Sequence, residues 1–261
     1  MITKIKLVLV FCLTCASVQA ENLLWNGKQA AIALTYDDAL NVHLDIVAPQ
    51  LNQFNFKGTF YLTVASDAFS QRLAAWQQVA NQGHELGNHT LFHPCRADLP
   101  NRDWVATDRD LAKWSKQQLI NNLKIANTTL AALTGKNTRS FAYTCGDTTA
   151  GKDNFIQDIK PLFSGARGVH YQLTTPNNID SYDMPAYVVH GQTLAQLTEQ
   201  VDQAIQQQAL LIFLFHGVGG EHGLNIDADT HLALLEYIGK HHQQLWIAPV
   251  HDIAEFIRGE G

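Results

Sequence analysis

Two short motifs in this chain carry side chains that can hold a metal ion and activate water. Residues 35–38 read TYDD and end an apolar run in two aspartates, and residues 89–93 read HTLFH. Histidines at positions i and i+4 lie on one face of a helical turn, so His89 and His93 are expected to converge on one ion. Two imidazoles and one carboxylate are the ligands of hydrolytic zinc sites that leave a position open for water. The second carboxylate then remains as a base.

Apolar runs alternate with segments of helical periodicity along residues 21–261. Strands are predicted at residues 30–35, 58–64, 86–88, 140–143, 168–171, 209–215 and 245–250. Helices are predicted at residues 42–54, 69–82, 111–133, 194–207, 230–241 and 253–257. This alternation predicts a parallel sheet, and so many units in one chain of this length favour an α/β barrel over an open sheet. The chemistry of such barrels collects at the carboxyl ends of the strands, where Asp37, Asp38, Cys145 and His216 are expected.

The first 20 residues are typical of a secretory signal. Two lysines precede an apolar run over residues 7–15, which is too short to span a bilayer comfortably, and the sequence VQA at residues 18–20 offers small residues for cleavage. We therefore expect residues 1–20 to be removed and residues 21–261 to form one exported domain, periplasmic or secreted, with no stable membrane insertion. An uncleaved membrane anchor and a lipoprotein anchored through Cys15 are the alternatives.

Cys95 and Cys145 are the two cysteines of the predicted mature chain, and each lies two residues after a residue of a candidate motif, His93 and Tyr143. If both motifs line one site, the two sulfur atoms lie close together, and an oxidising compartment permits a disulfide between them. Two free thiols are the second interpretation. A cysteine-containing metal site is the third, and it is disfavoured because the aspartate and histidine set is already complete.

The motifs resemble those of the polysaccharide deacetylases of the NodB-homology type, carbohydrate esterase family 4. TYDD at residues 35–38 is similar to the family's TFDD motif, and HTLFH at residues 89–93 is similar to its H-[ST]-x-x-H motif. The latter follows the typical GHELGN at residues 83–88, and LFH at residues 214–216 resembles the family's apolar strand ending in L-x-H. The resemblance covers essentially the whole predicted mature chain. It implies a distorted parallel (β/α) barrel with about seven strands in a single domain.

The resemblance also implies a role for each matching residue. Asp37 would be the catalytic base, His216 the general acid, and Leu214 part of the pocket for the acetyl methyl group. The metal ligands would be Asp38, His89 and His93. Two adjacent carboxylates cannot both bind one small ion without strain, and a divalent ion lowers the pKa of its water and polarises the substrate carbonyl. Zinc is the expected ion for this ligand set, although cobalt, nickel or another divalent ion would fit it.

The segment FAYTCGD at residues 141–147 departs from the pattern RPPYG of many relatives, and the arginine that normally pairs with the base is missing from it. Arg139 and Arg167 are the candidates to replace that arginine. Arg167 is preferred, because Arg139 precedes the predicted strand and should point to its other end. The backbone N–H of Cys145 is expected to be the oxyanion donor, and Tyr143 is expected to contact the substrate.

Relatives also carry an acidic residue that orients the acid histidine, and this motif has no clear counterpart here. Three aspartates are candidate partners of His216: Asp180, Asp183 and Asp252. Trp104 lies in the long polar stretch of residues 96–110 and is the tryptophan expected to contact a sugar, since a loop of this length usually has a functional reason.

These residues predict an exported, metal-dependent hydrolase that removes acetyl groups from a carbohydrate. The substrate would be an N-acetylated amino sugar oligo- or polysaccharide or an O-acetylated glycan, and the sequence does not choose between amide and ester. Two alternatives remain, namely an inactive carbohydrate-binding relative and an amidohydrolase acting on a non-sugar amide. The formal net charge of −6 gives no support to nucleic-acid binding.

Overall fold

A curled sheet of eight strands forms the centre of the molecule, and every strand pair within it is parallel. The computed structural model describes residues 24–259. The predicted signal, residues 1–20, and its cleavage point lie outside the described residues. None of the helices within residues 24–259 is both long enough and apolar enough to cross a membrane.

The strands of the described residues, β1 to β12 in chain order, are Ala30–Asp37, Thr59–Leu62, Glu85–Asn88, Phe141–Ala142, Thr149–Ala150, Asp153–Asn154, Ala166–Arg167, Tyr187–Val188, Leu210–Phe215, Gly217–Val218, Asn225–Ile226 and Leu245–Ile247. The α-helices, α1 to α8, are Ala48–Gln53, Asp67–Ser70, Leu73–Asn81, Lys116–Thr134, Ile156–Ile159, Leu194–Gln207, Ala228–Lys240 and Val250–Arg258. A π-helical turn at His43–Val47 leads into α1, and short 3-10 turns lie at Thr107–Arg109, Leu111–Lys113, Thr144–Gly146 and Pro176–Asn178.

The main sheet has the strand order β7-β4-β3-β2-β1-β9-β8. β9 pairs along one edge of β1, while β12 pairs with the first residues of β1 and β2 with its last residues. The expected distorted (β/α) barrel with a single domain is confirmed. Because the strands are parallel, their carboxyl ends meet at one mouth of the barrel.

Successive side chains of the central strands point to opposite faces of the sheet and form two separate layers of the core. One face of β1 and β9 packs beneath helices α1, α3, α6 and α7. The other face fills the barrel interior with small and aliphatic side chains: Ala31, Ala33, Leu210, Ile212 and Leu214. Since successive strand residues point to opposite faces, Asp37 lies on this interior face, at the carboxyl end of β1.

Helix signals in the sequence placed most of the long helices, and the differences have local causes. The predicted helix over residues 111–133 is α4, which begins with a capping box between Ser115 and Gln118 and ends at Gly135 with a φ of 71°. The predicted helix over residues 69–82 is split into α2 and α3, because Arg72 leaves the helical conformation and its side chain pairs with Asp45 at 2.6 Å.

The strand predicted at residues 168–171 is wrong. The strand at this point of the chain is β7, two residues earlier at Ala166–Arg167, and it pairs with β4. Its second residue is a fully buried arginine, which a search for apolar runs passes over.

Candidate active site

The carboxyl ends of seven strands, β1, β2, β3, β4, β7, β8 and β9, surround one cavity of about 530 Å³ at the barrel mouth. Nine of the ten residues predicted for the site line it: Asp37, Asp38, His89, His93, Trp104, Tyr143, Cys145, Leu214 and His216. The tenth, Arg167, lies directly behind the wall and contacts Asp37. The structure therefore brings together side chains that come from positions 37 to 216 of the chain.

The two adjacent aspartates face different partners because the backbone turns sharply after β1. Asp37 is the last residue of the strand, while Asp38 and Ala39 both have positive φ angles, of 80° and 59°. Such angles are uncommon for residues other than glycine and are typical of strained functional turns. The turn leaves Asp37 buried in the barrel interior and directs Asp38 into the cavity.

The two histidines of the HTLFH motif converge, but not on a helix as the spacing predicted. Residues 89–93 form an irregular loop in which Thr90 and His93 have φ angles of 69° and 53°. Side chains, rather than helix carbonyls, accept the backbone N–H groups of this loop. The side chain of Asn88 accepts the N–H of Thr90 at 2.7 Å, and the hydroxyl of Thr90 accepts the N–H of His93 at 2.8 Å. The two imidazole centroids lie 4.9 Å apart.

The donor atoms of Asp38, His89 and His93 fit a divalent metal ion. His89 Nδ1 lies 2.9 Å from the carbonyl of Ala142, so this nitrogen carries the ring proton and the Nε2 lone pair faces the cavity. Asp38 Oδ1 lies 3.5 Å from His89 Nε2 and 3.3 Å from His93 Nε2. This oxygen is buried and has no hydrogen-bond partner within residues 24–259. A cation between this carboxylate oxygen and the Nε2 lone pair of His89 would satisfy both atoms.

Asp37 is held by a buried arginine. Arg167 Nη2 donates to both carboxylate oxygens of Asp37, at 2.5 and 2.6 Å, although the two residues are 130 positions apart in the chain. Burial alone would raise the pKa of Asp37, but the charges of Arg167, His89 and His216 outweigh it and lower the pKa below its ordinary value. Asp37 is therefore ionised and able to accept a proton.

The two arginines considered for this position lie at opposite ends of the barrel. Arg167 is the one at the mouth, with its guanidinium 5.0 Å from the ring centroid of Tyr61. Arg139 is also buried, but it donates to the backbone carbonyls of Leu86 and Lys136 near the amino ends of the strands.

His216 follows β9 and points its Nε2 atom toward the second oxygen of Asp38, at 3.8 Å. Burial lowers its pKa, and Asp37 and Asp38 only partly compensate. Its backbone carbonyl lies 2.8 Å from Nε2 of the fully buried His43, whose Nδ1 accepts the N–H of Leu40. His43 therefore carries its proton on Nε2 and fixes the backbone of His216, a positioning role that sequence reasoning missed.

The expectation that an aspartate partners His216 is wrong, because each of the three candidates lies elsewhere. Asp180 accepts the backbone N–H of Tyr182, Asp183 lies 3.6 Å from His170, and Asp252 lies in a separate cavity at the other end of the barrel. Nδ1 of His216 is buried and has no hydrogen-bond partner within the described residues. The ring instead stacks on His222, with centroids 4.5 Å apart and planes at 13°.

Cys95 and Cys145 form a disulfide, and their Cα atoms are 5.8 Å apart. The same bridge ties the long polar loop of residues 96–110 to the segment after β4. Arg102 strengthens this connection, because it donates to Asp147 at 2.6 Å and to the carbonyl of Cys145 at 3.0 Å.

The remaining predicted residues form the wall and rim of the cavity. Tyr143 turns its ring to the cavity, while its hydroxyl donates to the carbonyl of Tyr182 at 2.7 Å. Trp104 is 64% exposed at the rim. The lining residues that sequence reasoning missed are mostly apolar and belong to no recognisable motif: Thr63, Arg109, Val169, Val188 and Leu224.

Comparison with known proteins identifies relatives of this chain. A 68-residue segment is 34% identical to a peptidoglycan-N-acetylglucosamine deacetylase of Bacillus cereus, and this match covers 26% of the chain and 24% of that relative. A family 4 acetyl xylan esterase from Clostridium thermocellum, solved with a cobalt ion, has a TM-score of 0.55 at 19% identity, covering 88% of this chain and 93% of that one. The Puue allantoinase has a TM-score of 0.64 at 12% identity, with coverage of 90% and 92%.

Both structural likenesses concern the fold alone, because the identities are low. The family assignment rests on the model of the polysaccharide deacetylases, which matches residues 26–160, more than half of the 261-residue chain. That span includes both the TYDD and the HTLFH motif. The chain belongs to the polysaccharide deacetylase family.

Proposed function

We propose that this protein is an exported, metal-dependent deacetylase that removes acetyl groups from a carbohydrate. The observation that carries this proposal is the pair of adjacent aspartates with separate environments. Asp38 faces the Nε2 atoms of His89 and His93, while Asp37 is kept ionised beside it by Arg167. A metal-dependent hydrolase uses both arrangements, one to hold a cation and one to take a proton.

Asp38, His89 and His93 would hold the ion, and Zn²⁺ suits two imidazoles and a carboxylate best. When bound, such an ion supplies Lewis acidity toward a carbonyl oxygen and lowers the pKa of water. Asp37 is the group that accepts the proton of the attacking water, because its carboxylate is ionised and lies at the cavity wall.

The opposite parts of the cavity wall suit the other demands of acyl transfer. The backbone N–H of Cys145, after β4, is the proposed donor to the oxyanion. His216, after β9, is the proposed donor of a proton to the departing sugar atom. Leu214 contributes apolar surface for the acetyl methyl group, and Tyr143 and Trp104 provide aromatic surface for the sugar.

The substrate is proposed to be an acetylated glycan. The Bacillus cereus relative is described as acting on N-acetylglucosamine of peptidoglycan, which supports N-acetylated amino sugars as the first class to test. The acetyl xylan esterase shares the fold and supports O-acetylated glycans as the second. The signal-like residues 1–20 and the disulfide between Cys95 and Cys145 fit an oxidising compartment outside the cytoplasm.

Acetate release from N-acetylglucosamine oligomers and from acetylated xylan, with and without a chelator, tests the proposal. We expect release from at least one glycan, its loss on chelation and its recovery with Zn²⁺. His89→Ala should be inactive, whereas His242→Ala, which alters an exposed histidine outside the cavity, should behave as the wild type. Metal binding without turnover would indicate an inactive carbohydrate-binding protein, and turnover of non-sugar amides alone would indicate an amidohydrolase.

A further inference from the structure

A second imidazole lies beside His216 at the barrel mouth and has no role in the proposed reaction so far. The rings of His216 and His222 are stacked, and their Nε2 atoms lie 3.8 and 3.9 Å from the same oxygen of Asp38. His89 and His93 approach the other oxygen of Asp38. The side chain of His222 is one-third exposed and lines the cavity, so it is accessible to a bound substrate.

The loop that carries His222 is fixed at both ends. Gly217 donates its backbone N–H to the carbonyl of Leu224 at 3.0 Å, which closes the loop on itself. Glu221 accepts the backbone N–H of Val42 at 3.0 Å, which ties the loop to the segment before α1. His222 is therefore held in place rather than sampling the solvent.

The hydrogen bonding of His222 determines which ring nitrogen carries the proton. The backbone N–H of Leu224 donates to Nδ1 of His222 at 3.0 Å, while the carbonyl of Leu224 is farther from that atom, at 3.4 Å. Nδ1 is thus an acceptor, and a neutral ring has its proton on Nε2, which faces the cavity.

This is the opposite of the arrangement in His89, where Nδ1 carries the proton and Nε2 offers a lone pair to the metal site. The carboxylate of Asp38 and the rings of His216 and His222 lie close enough to suggest a second ion. To bind one, His222 would have to move its proton to Nδ1 and lose the hydrogen bond from Leu224. The cluster therefore favours hydrogen-bond donation over a second metal.

The strand order indicates which side of the cavity each end of the bond to the acetyl group would face. The proposed oxyanion donor, Cys145, follows β4. Leu214 lies in β9 and His216 directly follows it, and three strands separate β9 from β4. The acetyl carbonyl oxygen therefore faces the β4 side, and the sugar atom that bears the acetyl group faces His216 and His222.

We propose that His222 is a substrate-contacting residue whose Nε2–H donates a hydrogen bond to the departing sugar nitrogen or oxygen. This inference rests on the proposed deacetylase function. Donation from Nε2 does not require a charged ring, since the neutral tautomer already carries the proton. The stacked His222 also supports the ring of His216, whose own Nδ1 has no partner in the described part of the chain.

A pair of amide variants separates this role from a structural one. In His222→Gln the side-chain amide can place an N–H near the position of Nε2, whereas in His222→Asn the shorter amide lies near the position of Nδ1. We expect kcat on the acetylated amide to fall about tenfold in His222→Asn and His222→Ala, the worth of one neutral hydrogen bond. His222→Gln should stay within about threefold of the wild type, and on an activated aryl acetate all three should lose less, because that leaving group needs little help.

Long-range ¹H–¹⁵N NMR of histidine-labelled, zinc-loaded protein gives a readout that does not depend on turnover. His222, assigned by its loss in His222→Gln, should show a protonated Nε2 and a bare Nδ1. The Nε2 signal should shift on addition of deacetylated sugar oligomers, glucosamine or xylose, at a pH at which the amine is uncharged.

Three results would each overturn the inference. They are equal losses of kcat in His222→Gln and His222→Asn, a proton on Nδ1 of His222, and an Nε2 signal that does not shift when the sugar is added. A wild type that releases no acetate would refute the proposed function. The NMR measurement would then still decide whether His222 donates to a sugar.

Discussion

Removing Arg167, the arginine behind the proposed base Asp37, should lower both stability and activity, because both depend on the same buried ion pair. Arg167 is fully buried, and its Nη2 atom donates to both oxygens of Asp37, whose side chain is itself only 4% exposed. In Arg167→Met the carboxylate stays in the same buried place without its counter-charge. The burial that raises the pKa of Asp37 then acts with less opposition, so we expect that pKa to rise above its ordinary value.

The size of the stability loss follows from the burial of the ion pair between Arg167 and Asp37. Breaking one partner of a buried ion pair costs about 3–5 kcal/mol, because the remaining charge is left uncompensated. The cost should be present in full at neutral pH. It should shrink as the pH falls through the raised pKa of Asp37, where the carboxyl becomes neutral. The wild type behaves in the opposite way, because its lowered pKa contributes stability that is lost only at more acidic pH.

Urea unfolding of the chelator-treated protein measures the stability, and the pH dependence of acetate release measures the pKa. The acid limb of the activity profile should move to higher pH in Arg167→Met. Arg139→Met is the matched control, since Arg139 is also a buried arginine but has no carboxylate among its hydrogen-bond partners. It should lose stability without moving the acid limb.

The double variant Asp37→Asn, Arg167→Met removes both charges and should recover much of the stability lost in the single variant. An Arg167→Met protein as stable as the wild type, or one whose deficit stays constant at acidic pH, would refute this reasoning. A shift of the acid limb in Arg139→Met as large as in Arg167→Met would do so as well.

The other predictions concern the base, the cysteines and a buried histidine. Asp37→Asn should bind metal as the wild type does but release acetate about a hundredfold to ten-thousandfold more slowly, and a rate within a fewfold would place the base elsewhere. Alkylation followed by peptide mass mapping should label Cys95 and Cys145 only after reduction, and labelling before reduction in exported protein would exclude the disulfide. Burial lowers the pKa of His84 from 6.5 to about 4, so this histidine alone should contribute up to about 1.4 kcal/mol per pH unit to the fall in unfolding free energy as the pH is lowered from about 6.5 to about 4. The other buried histidines, such as His43 and His89, add to that fall. His84→Asn, whose side-chain oxygen can accept the N–H of Gly58 as Nδ1 does, should flatten this fall, and an unchanged slope would assign the proton uptake to other groups.

The sequence predicted those parts of the fold whose signal is local. The helix over residues 194–207 is α6 with the same bounds, because its apolar spacing lies within the segment and its cap, Thr193, directly precedes it. The apolar run over residues 209–215 is β9, buried on both faces as predicted. The carboxyl ends of parallel strands meet at one mouth of a barrel. The strands predicted at residues 30–35 and 209–215 therefore placed Asp37 and His216 at the same mouth.

Features that depend on distant contacts were harder to predict. The histidine motif adopts a loop because Asn122, on α4, accepts the N–H of Leu91 at 2.8 Å, a contact that the spacing of two histidines does not reveal. The charge of Arg167 can be buried in a strand because Asp37, far away in the chain, compensates it. The ring of His216 has a stacked histidine rather than an aspartate beside it, which only the folded loop after β10 shows.

The metal site is the central claim, and a direct titration of metal-free protein with Zn²⁺ tests it. The wild type and His242→Ala should each bind one equivalent tightly, and acetate release should rise in proportion to the bound metal. His89→Ala should lose tight binding, because it removes the Nε2 lone pair that the hydrogen bond to Ala142 directs at Asp38. Equal metal content in the wild type and His89→Ala, or full activity in the metal-free wild type, would contradict the account.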